Sequence, residues 1–288
     1  MTFKEWAAAI KGDPEFYSND KMMYSDVNCS GYGITTLEGA PKLCYDFKCQ
    51  NNKLKTLKYG PETCSGNYNC NNNLLENLEG APKYTGGYFE CSGNKLKTLK
   101  GGPSYTGLHF KCSSNDLKNL EGAPIFVGGS FLCNDNPLEN LKGCPKYVKN
   151  NFNCSNTKID NLNDIPKLIE GDFICKNTNL DPNKSHKVFS NIRGVIVSDV
   201  PITVVKDVNE EIEALIDIYE ENYTKESWHK IIQMIYEKEN RDLAEKMDAA
   251  KGEERDKLFF ELGEKMGYTV LTKEMHELMM TDLRYFKN

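Results

Sequence analysis

The chain repeats itself every 21 residues, and that period confines it to a stack of similar coils. One clear unit reads Pro124, Val127, Gly129, Phe131, Cys133, Asn136, Leu138, Leu141, Gly143 and Pro145. Its core position recurs at Val27, Phe47, Tyr68, Phe89, Phe110, Phe131, Phe152 and Phe173, with one spacing of 20 and then six of 21. A ninth, degenerate copy follows at Ile192, Gly194, Ile196 and Ser198. Such a period marks a solenoid: one coil cannot bury its own apolar face, so neighbours must stack to make a continuous core.

Within the unit the hydrophobic spacing changes. Val127, Gly129, Phe131 and Cys133 alternate, which predicts one strand with these residues on its inner face. Leu138 and Leu141 then point inward from a returning limb. The Gly-x-Pro that follows forbids a regular helix there, because proline lacks a donor and glycine weakens helices. The return is therefore expected to be extended or 3₁₀.

The repeat accounts for most of the 11 cysteines. Eight of them share one inward position: Cys29, Cys49, Cys70, Cys91, Cys112, Cys133, Cys154 and Cys175. A metal or redox ladder would need C-x-x-C pairs or histidines at ligand spacing, and the units contain neither. A stack of small, buried, reduced thiols is the simpler reading. Cys44, Cys64 and Cys144 lie off this column, and Cys44 is expected to face out of its strand as the most reactive thiol. Asn52, Asn73, Asn94, Asn115 and Asn136 form a second column, five residues after the core position. Their amides can satisfy backbone groups left free at a turn. Thr157, Thr178 and Tyr32 replace them toward the ends, where terminal repeats are atypical. A third column alternates in charge: Glu38, Lys58, Glu79, Lys100, Glu121, Lys142. In-register stacking would set each charge between two opposite ones.

The segment F-x-C-x-x-N-x-L-x-x-L-x-G-x-P resembles a leucine-rich repeat. Phe131, Cys133, Asn136 and Leu138 stand at the marked positions of that family's L-x-L-x-x-N-x-L core. The short period and proline-bearing return are most similar to the bacterial effector type. The L-E-G-A-P and G-G-x-F-x-C-x-x-N-x-L wording resembles repeats of bacteriophage-encoded proteins. The resemblance covers about residues 23–200, with an aromatic and a cysteine where leucine dominates in the family. It implies an α+β chain: a leucine-rich-repeat solenoid whose parallel β-sheet forms the concave face. Some effectors of this type join the repeat to a helical ubiquitin ligase with a nucleophilic cysteine. No cysteine follows Cys175, so that thioester chemistry has no nucleophile in the helical part.

The ends differ from the middle. Thr2-Phe3-Lys4-Glu5 reads as a capping box that opens a short helix ending near Lys11, stopped by Gly12-Asp13-Pro14. Trp6 and Ile10 share a face that would cover the first coil. Residues 205–288 carry 13 Lys+Arg and 21 Asp+Glu, a net of -8, whereas residues 1–204 carry 23 and 21, a net of +2. Helical periodicity appears there: Ile212, Leu215, Ile216 and Tyr219; Trp228, Ile231, Ile232 and Ile235; Leu243, Met247, Leu258 and Leu262; Met275, Leu278, Met279 and Leu283. The expected organisation is a helical cap over 1–22, a solenoid of about nine coils over 23–204 and an acidic α-helical domain over 205–288.

Chemistry is sparse. No stretch approaches the ~20 apolar residues of a membrane span. A formal charge of -6 offers no support to phosphate-neutralising nucleic-acid binding. The opening residues lack the apolar core of a secretory signal, and a cytoplasmic location is expected. No Walker loop, H-E-x-x-H or G-x-S-x-G is present, so no catalytic residue, cofactor or metal is assigned. The expected role is non-enzymatic recognition of a protein partner through the concave sheet. Tyr88, Glu90, His109 and Lys111 form the one mixed cluster of outward positions, and Leu132 and Ile174 are apolar on the same face. Two alternatives remain: an enzyme with its site in residues 205–288 or at the junction, using Trp228, His229, His276 and the acid-rich helices, or a structural or virion component.

Overall fold

A computed structural model describes residues 1–12, 26–184, 186–189 and 191–205. These residues form a parallel β-solenoid of about eight turns behind a short N-terminal helix. The helices expected within residues 205–288, with Trp228, His229 and His276, lie outside the described residues, as do Asp13 and Pro14.

The coil from Tyr105 to Ala123 shows the plan. A two-residue strand, Tyr105–Thr106, bends through Gly107–His109 into a second, Phe110–Lys111. Ser114 turns the corner with φ 56°. The limb bearing Leu117 and Leu120 runs back without regular structure and ends in a tight turn at Gly122. Gly122 has φ 93°, and a Cβ there would collide with the backbone nitrogen of Lys100 on the coil below.

The single strand expected per coil is thus two strands in two sheets. One sheet has nine strands, running from Val27–Asn28 through Phe47–Lys48, Phe89–Glu90, Phe131–Leu132 and their equivalents to Ile196–Ser198. The other has eight, from Leu43–Cys44 through Thr63–Cys64, Tyr105–Thr106 and their equivalents to Asn191–Ile192. Close stacking at the bend separates them. A Cβ on Gly107 would strike the carbonyl oxygen of Gly86, so these corners press backbone on backbone.

The register follows the repeat. Val27 pairs with Phe47, Phe47 with Tyr68, and so on to Phe173. The degenerate ninth copy is in register too, with Ile169 opposite Ile192, Phe173 opposite Ile196 and Cys175 opposite Ser198. On either side of that copy the chain adds a parallel pair, His186–Phe189 with Ile202–Val205.

Each coil from Phe47 to Phe152 contributes a core aromatic, a cysteine and two aliphatic residues to one continuous core. The aromatics from Phe47 to Phe173 stack with ring centroids 5.2–5.9 Å apart. Burying each such side chain is worth roughly 1.5–3 kcal/mol. All eight column cysteines are buried free thiols. A second aromatic run, Tyr84, Tyr105, Phe126 and Tyr147, stacks at 4.3–5.4 Å on the opposite face of the eight-stranded sheet from Thr85 and Thr106. This run lies outside the columns that the repeat spacing singles out.

The asparagine column behaves as a backbone clip. Asn94 Nδ2 donates to the carbonyls of Cys70 and Cys91, at 3.1 and 3.0 Å, and its Oδ1 accepts from Asn73 N and Leu75 N. Thr157 retains one such bond, to the Cys154 carbonyl at 2.8 Å. The left-handed residue is the one before, with Asn51, Asn72, Asp135 and Asn156 all at φ 53–58°. The charge column pairs in part: Glu121 lies 3.7 Å from Lys100 and 2.9 Å from Lys142, and Lys58 lies 3.9 Å from Glu79.

The helix Phe3–Lys11 has the expected capping box, with Glu5 N donating to Thr2 Oγ1 at 3.0 Å and Thr2 N to Glu5 Oε2 at 2.8 Å. Gly12 ends it at φ 73°. Phe3, Trp6 and Ala7 are buried, and Phe3 stacks on Phe47. Ile10, expected beside Trp6 in this contact, is half exposed because only the first turns of the helix cover the coil.

Candidate functional site

The outer face of the nine-stranded sheet carries the four clustered candidates. Phe89 pairs with Phe110 and Glu90 with Lys111, so Tyr88, Glu90, His109 and Lys111 come from two adjacent coils. Lys111 Nζ lies 2.6 Å from Glu90 Oε1. Glu90 Oε2 also accepts from Asn69 Nδ2 at 2.8 Å and Asn71 Nδ2 at 3.1 Å. The carboxylate is thereby held by two amides and one ammonium. Lys111 Nζ stands 5.9 Å from the centre of the Tyr88 ring, within cation–π range.

Leu132 is Lys111's neighbour on the next strand, and it extends the cluster by one coil. Ile174 does not join it. It lies three strands beyond Lys111, about 14 Å at the usual strand spacing, opposite Asn153 and Val197.

A ladder that the composition had not signalled runs along the position before the core residue. There, each side chain accepts the backbone N–H of the same position one coil on. Asp26 accepts from Asp46 N, Asp46 from Asn67 N at 2.7 Å, and Asn67 from Tyr88 N at 3.1 Å. His109 Nδ1 accepts from Ser130 N at 2.8 Å, Ser130 from Asn151 N, Asn151 from Asp172 N at 2.9 Å, and Asp172 from Val195 N at 3.0 Å. The run breaks only between Tyr88 and His109. The polar atom of tyrosine sits at the far end of its ring and cannot curl back to the backbone. Among the described residues, no acceptor meets the His109 N–H.

The break fixes the protonation pattern around it. With Nδ1 accepting, the neutral His109 ring carries its proton on Nε2. Partial burial first, and the Lys111 charge second, hold the His109 pKa below the usual histidine value. Partial burial and Glu90 raise the Tyr88 phenol, against the pull of Lys48 and Lys111. Lys48 lies 3.0 Å from Asp46 and is raised by that bond. Tyr88 therefore stands among two lysines whose acidic partners are already engaged.

The cysteines do not form a second site of the kind expected at Cys44. Its side chain is buried, not outward, because Leu43–Cys44 belongs to the eight-stranded sheet, where the second residue of each strand turns to the core. The thiol is pushed up by its bond to Cys64 and by burial, the reverse of an activated nucleophile. Cys144 is the most exposed thiol, pushed up to about 12 by burial. Among the described residues, no group of three or more His, Cys, Asp or Glu is placed to hold a metal ion, and no helix is long and apolar enough to cross a membrane.

Compared with protein-family models and with curated proteins, the chain matches no family and no curated relative.

Proposed function

We propose that this chain is a non-enzymatic recognition protein that binds a protein partner on the outer face of the nine-stranded sheet. The break in the acceptor ladder at Tyr88 carries this reading. At every other coil of that run, the side chain is consumed in holding its neighbour. At Tyr88 the sheet presents a half-buried aromatic ring, its hydroxyl, a lysine beside the ring and the His109 Nε2–H. Tyrosine with neighbouring charges is the composition of an interface anchor. Leu132 adds apolar area next to it.

We further infer kinship with leucine-rich repeats of the bacterial effector and bacteriophage kind, acting in a bacterial cytoplasm on a host factor. The F-x-C-x-x-N-x-L wording supports this, together with an asparagine column that binds the carbonyls of successive coils. The test is affinity capture from a bacterial lysate with the full chain, comparing wild type with Tyr88→Ala/His109→Ala/Lys111→Ala. The expected result is a partner retained by wild type and lost from the triple variant. Identical partner lists from two equally folded proteins would sink the assignment of this face.

A further inference from the structure

We propose that Cys44 and Cys64 form an oxidisable dithiol site, closed to a disulfide by a peroxide or a small-molecule disulfide. Their Cα atoms are direct partners on adjacent parallel strands, and their Sγ atoms are 3.7 Å apart. Both thiols are buried and free. At the equivalent position, the other coils carry Thr85, Thr106, Val127, Val148 and Ile169. Thiols occur here on two neighbouring coils only, so the pair is not a product of the repeat. Among the described residues, no sulfur–sulfur hydrogen bond joins members of the column of eight, whose thiols Cys70, Cys91 and Cys133 donate to backbone carbonyls instead.

The pair also needs little movement to close. Leu43–Cys44 is bonded to Thr63–Cys64 in the eight-stranded sheet. Closing the bond brings the sulfurs together by less than 2 Å, to the normal S–S length of about 2.05 Å.

The chemistry balances with one peroxide. One cysteine sulfur, as thiolate, attacks a peroxide oxygen, the O–O bond breaks, and a sulfenic acid and one water result. The second thiol then attacks that sulfur, the S–O bond breaks, and the second water leaves. Two thiols lose two electrons and two protons, and the peroxide gains them. With a small disulfide as oxidant, two exchange steps release two small thiols instead. Its bond to Cys64 and burial push the Cys44 thiol up and keep it protonated, so the reaction quickens as pH rises.

The purified full chain is treated with hydrogen peroxide or oxidised glutathione, unfolded in N-ethylmaleimide, digested with trypsin and mapped by mass spectrometry. The expected result is one dominant crosslink, joining the peptide of residues 43–48 to that of residues 59–83 with Cys70 still alkylated. Oxidised wild type should also melt roughly 5–10 °C above the reduced protein, and dithiothreitol should reverse this. Cys44→Thr/Cys64→Thr uses the residue that other coils tolerate, and it should fold and show no such shift. Absence of the 44–64 crosslink, or its appearance at the level of links within the column of eight, would overturn the proposal.

Discussion

Glu90 and Lys111 stand directly opposite each other on neighbouring parallel strands, with Lys111 Nζ 2.6 Å from Glu90 Oε1. The pair differs in kind from the alternating charges of the return limb. The Glu90 side chain is only 13% exposed, whereas those of Lys58 and Glu79, at 3.9 Å, are both more than 60% exposed. Charge-assisted bonds to a sheltered carboxylate are worth more than solvent-screened ion pairs. Glu90→Gln should therefore cost about 1–2 kcal/mol in urea unfolding, and Glu79→Gln no more than about 0.5 kcal/mol. Equal losses would show that the sheet cluster is ordinary solvated surface.

His109 makes stability depend on pH. Its folded pKa lies below the unfolded value, so on acidification the unfolded chain takes up the proton first. The contribution is complete above the unfolded pKa near 6.5 and is lost as pH falls through the folded value. Protonation at Nδ1 also removes the acceptor for Ser130 N, and Lys111 opposes the new charge while Glu90 favours it. His109→Asn places there the residue already used at Asn67 and Asn151. The expected outcome is a variant as stable as wild type at pH 8 whose unfolding midpoint falls less between pH 7 and pH 5. Parallel pH profiles would exclude His109 as the source.

The asparagine column sets a stability scale. Asn94→Ala leaves the Asn73 and Leu75 N–H groups without an acceptor, while the Cys70 and Cys91 carbonyls keep the amides of Asn73 and Asn115. A loss of about 2–4 kcal/mol is expected, since each unsatisfied buried group costs ~1–3 kcal/mol and they are not additive. Asn94→Thr should cost about half as much, because Thr157 shows that a hydroxyl keeps the bond to the cysteine carbonyl three residues back. Urea midpoints at fixed slope measure both.

Tyr59 occupies the turn position where Gly39, Gly80, Gly101, Gly122 and Gly143 stand in other coils, and it takes the same left-handed backbone, at φ 70°. Its side chain is 62% exposed, so little packing offsets the conformational cost. Left-handed backbone costs a non-glycine residue roughly 1–2 kcal/mol, and the entropy of an added glycine returns part of that. Tyr59→Gly should stabilise the chain by about 0.5 kcal/mol. A drop in melting temperature would show that the ring makes a contact worth more than the strain.

The sequence resolved whatever the repeat carries in one dimension. The period placed the core column, the thiols, the asparagines and the ninth copy in register, since stacked parallel coils bring equivalent residues side by side. It also brought Tyr88, Glu90, His109 and Lys111 onto one face of adjacent coils. The capping box at Thr2 was equally legible, because it is local.

Other features depended on contacts between coils, which no spacing encodes. Alternation alone cannot distinguish one seven-residue strand from two short strands across a bend; backbone pressed on backbone at Gly86 and Gly107 decided that. That bend put Cys44 on a second sheet with its thiol inward, against Cys64. Spacing alone makes His109 a solvent-facing hot spot, whereas in the fold its Nδ1 accepts the Ser130 N–H of the next coil. A side chain's outward direction follows from the pleat, but the group it bonds belongs to a coil 21 residues away and is fixed only when the coils stack.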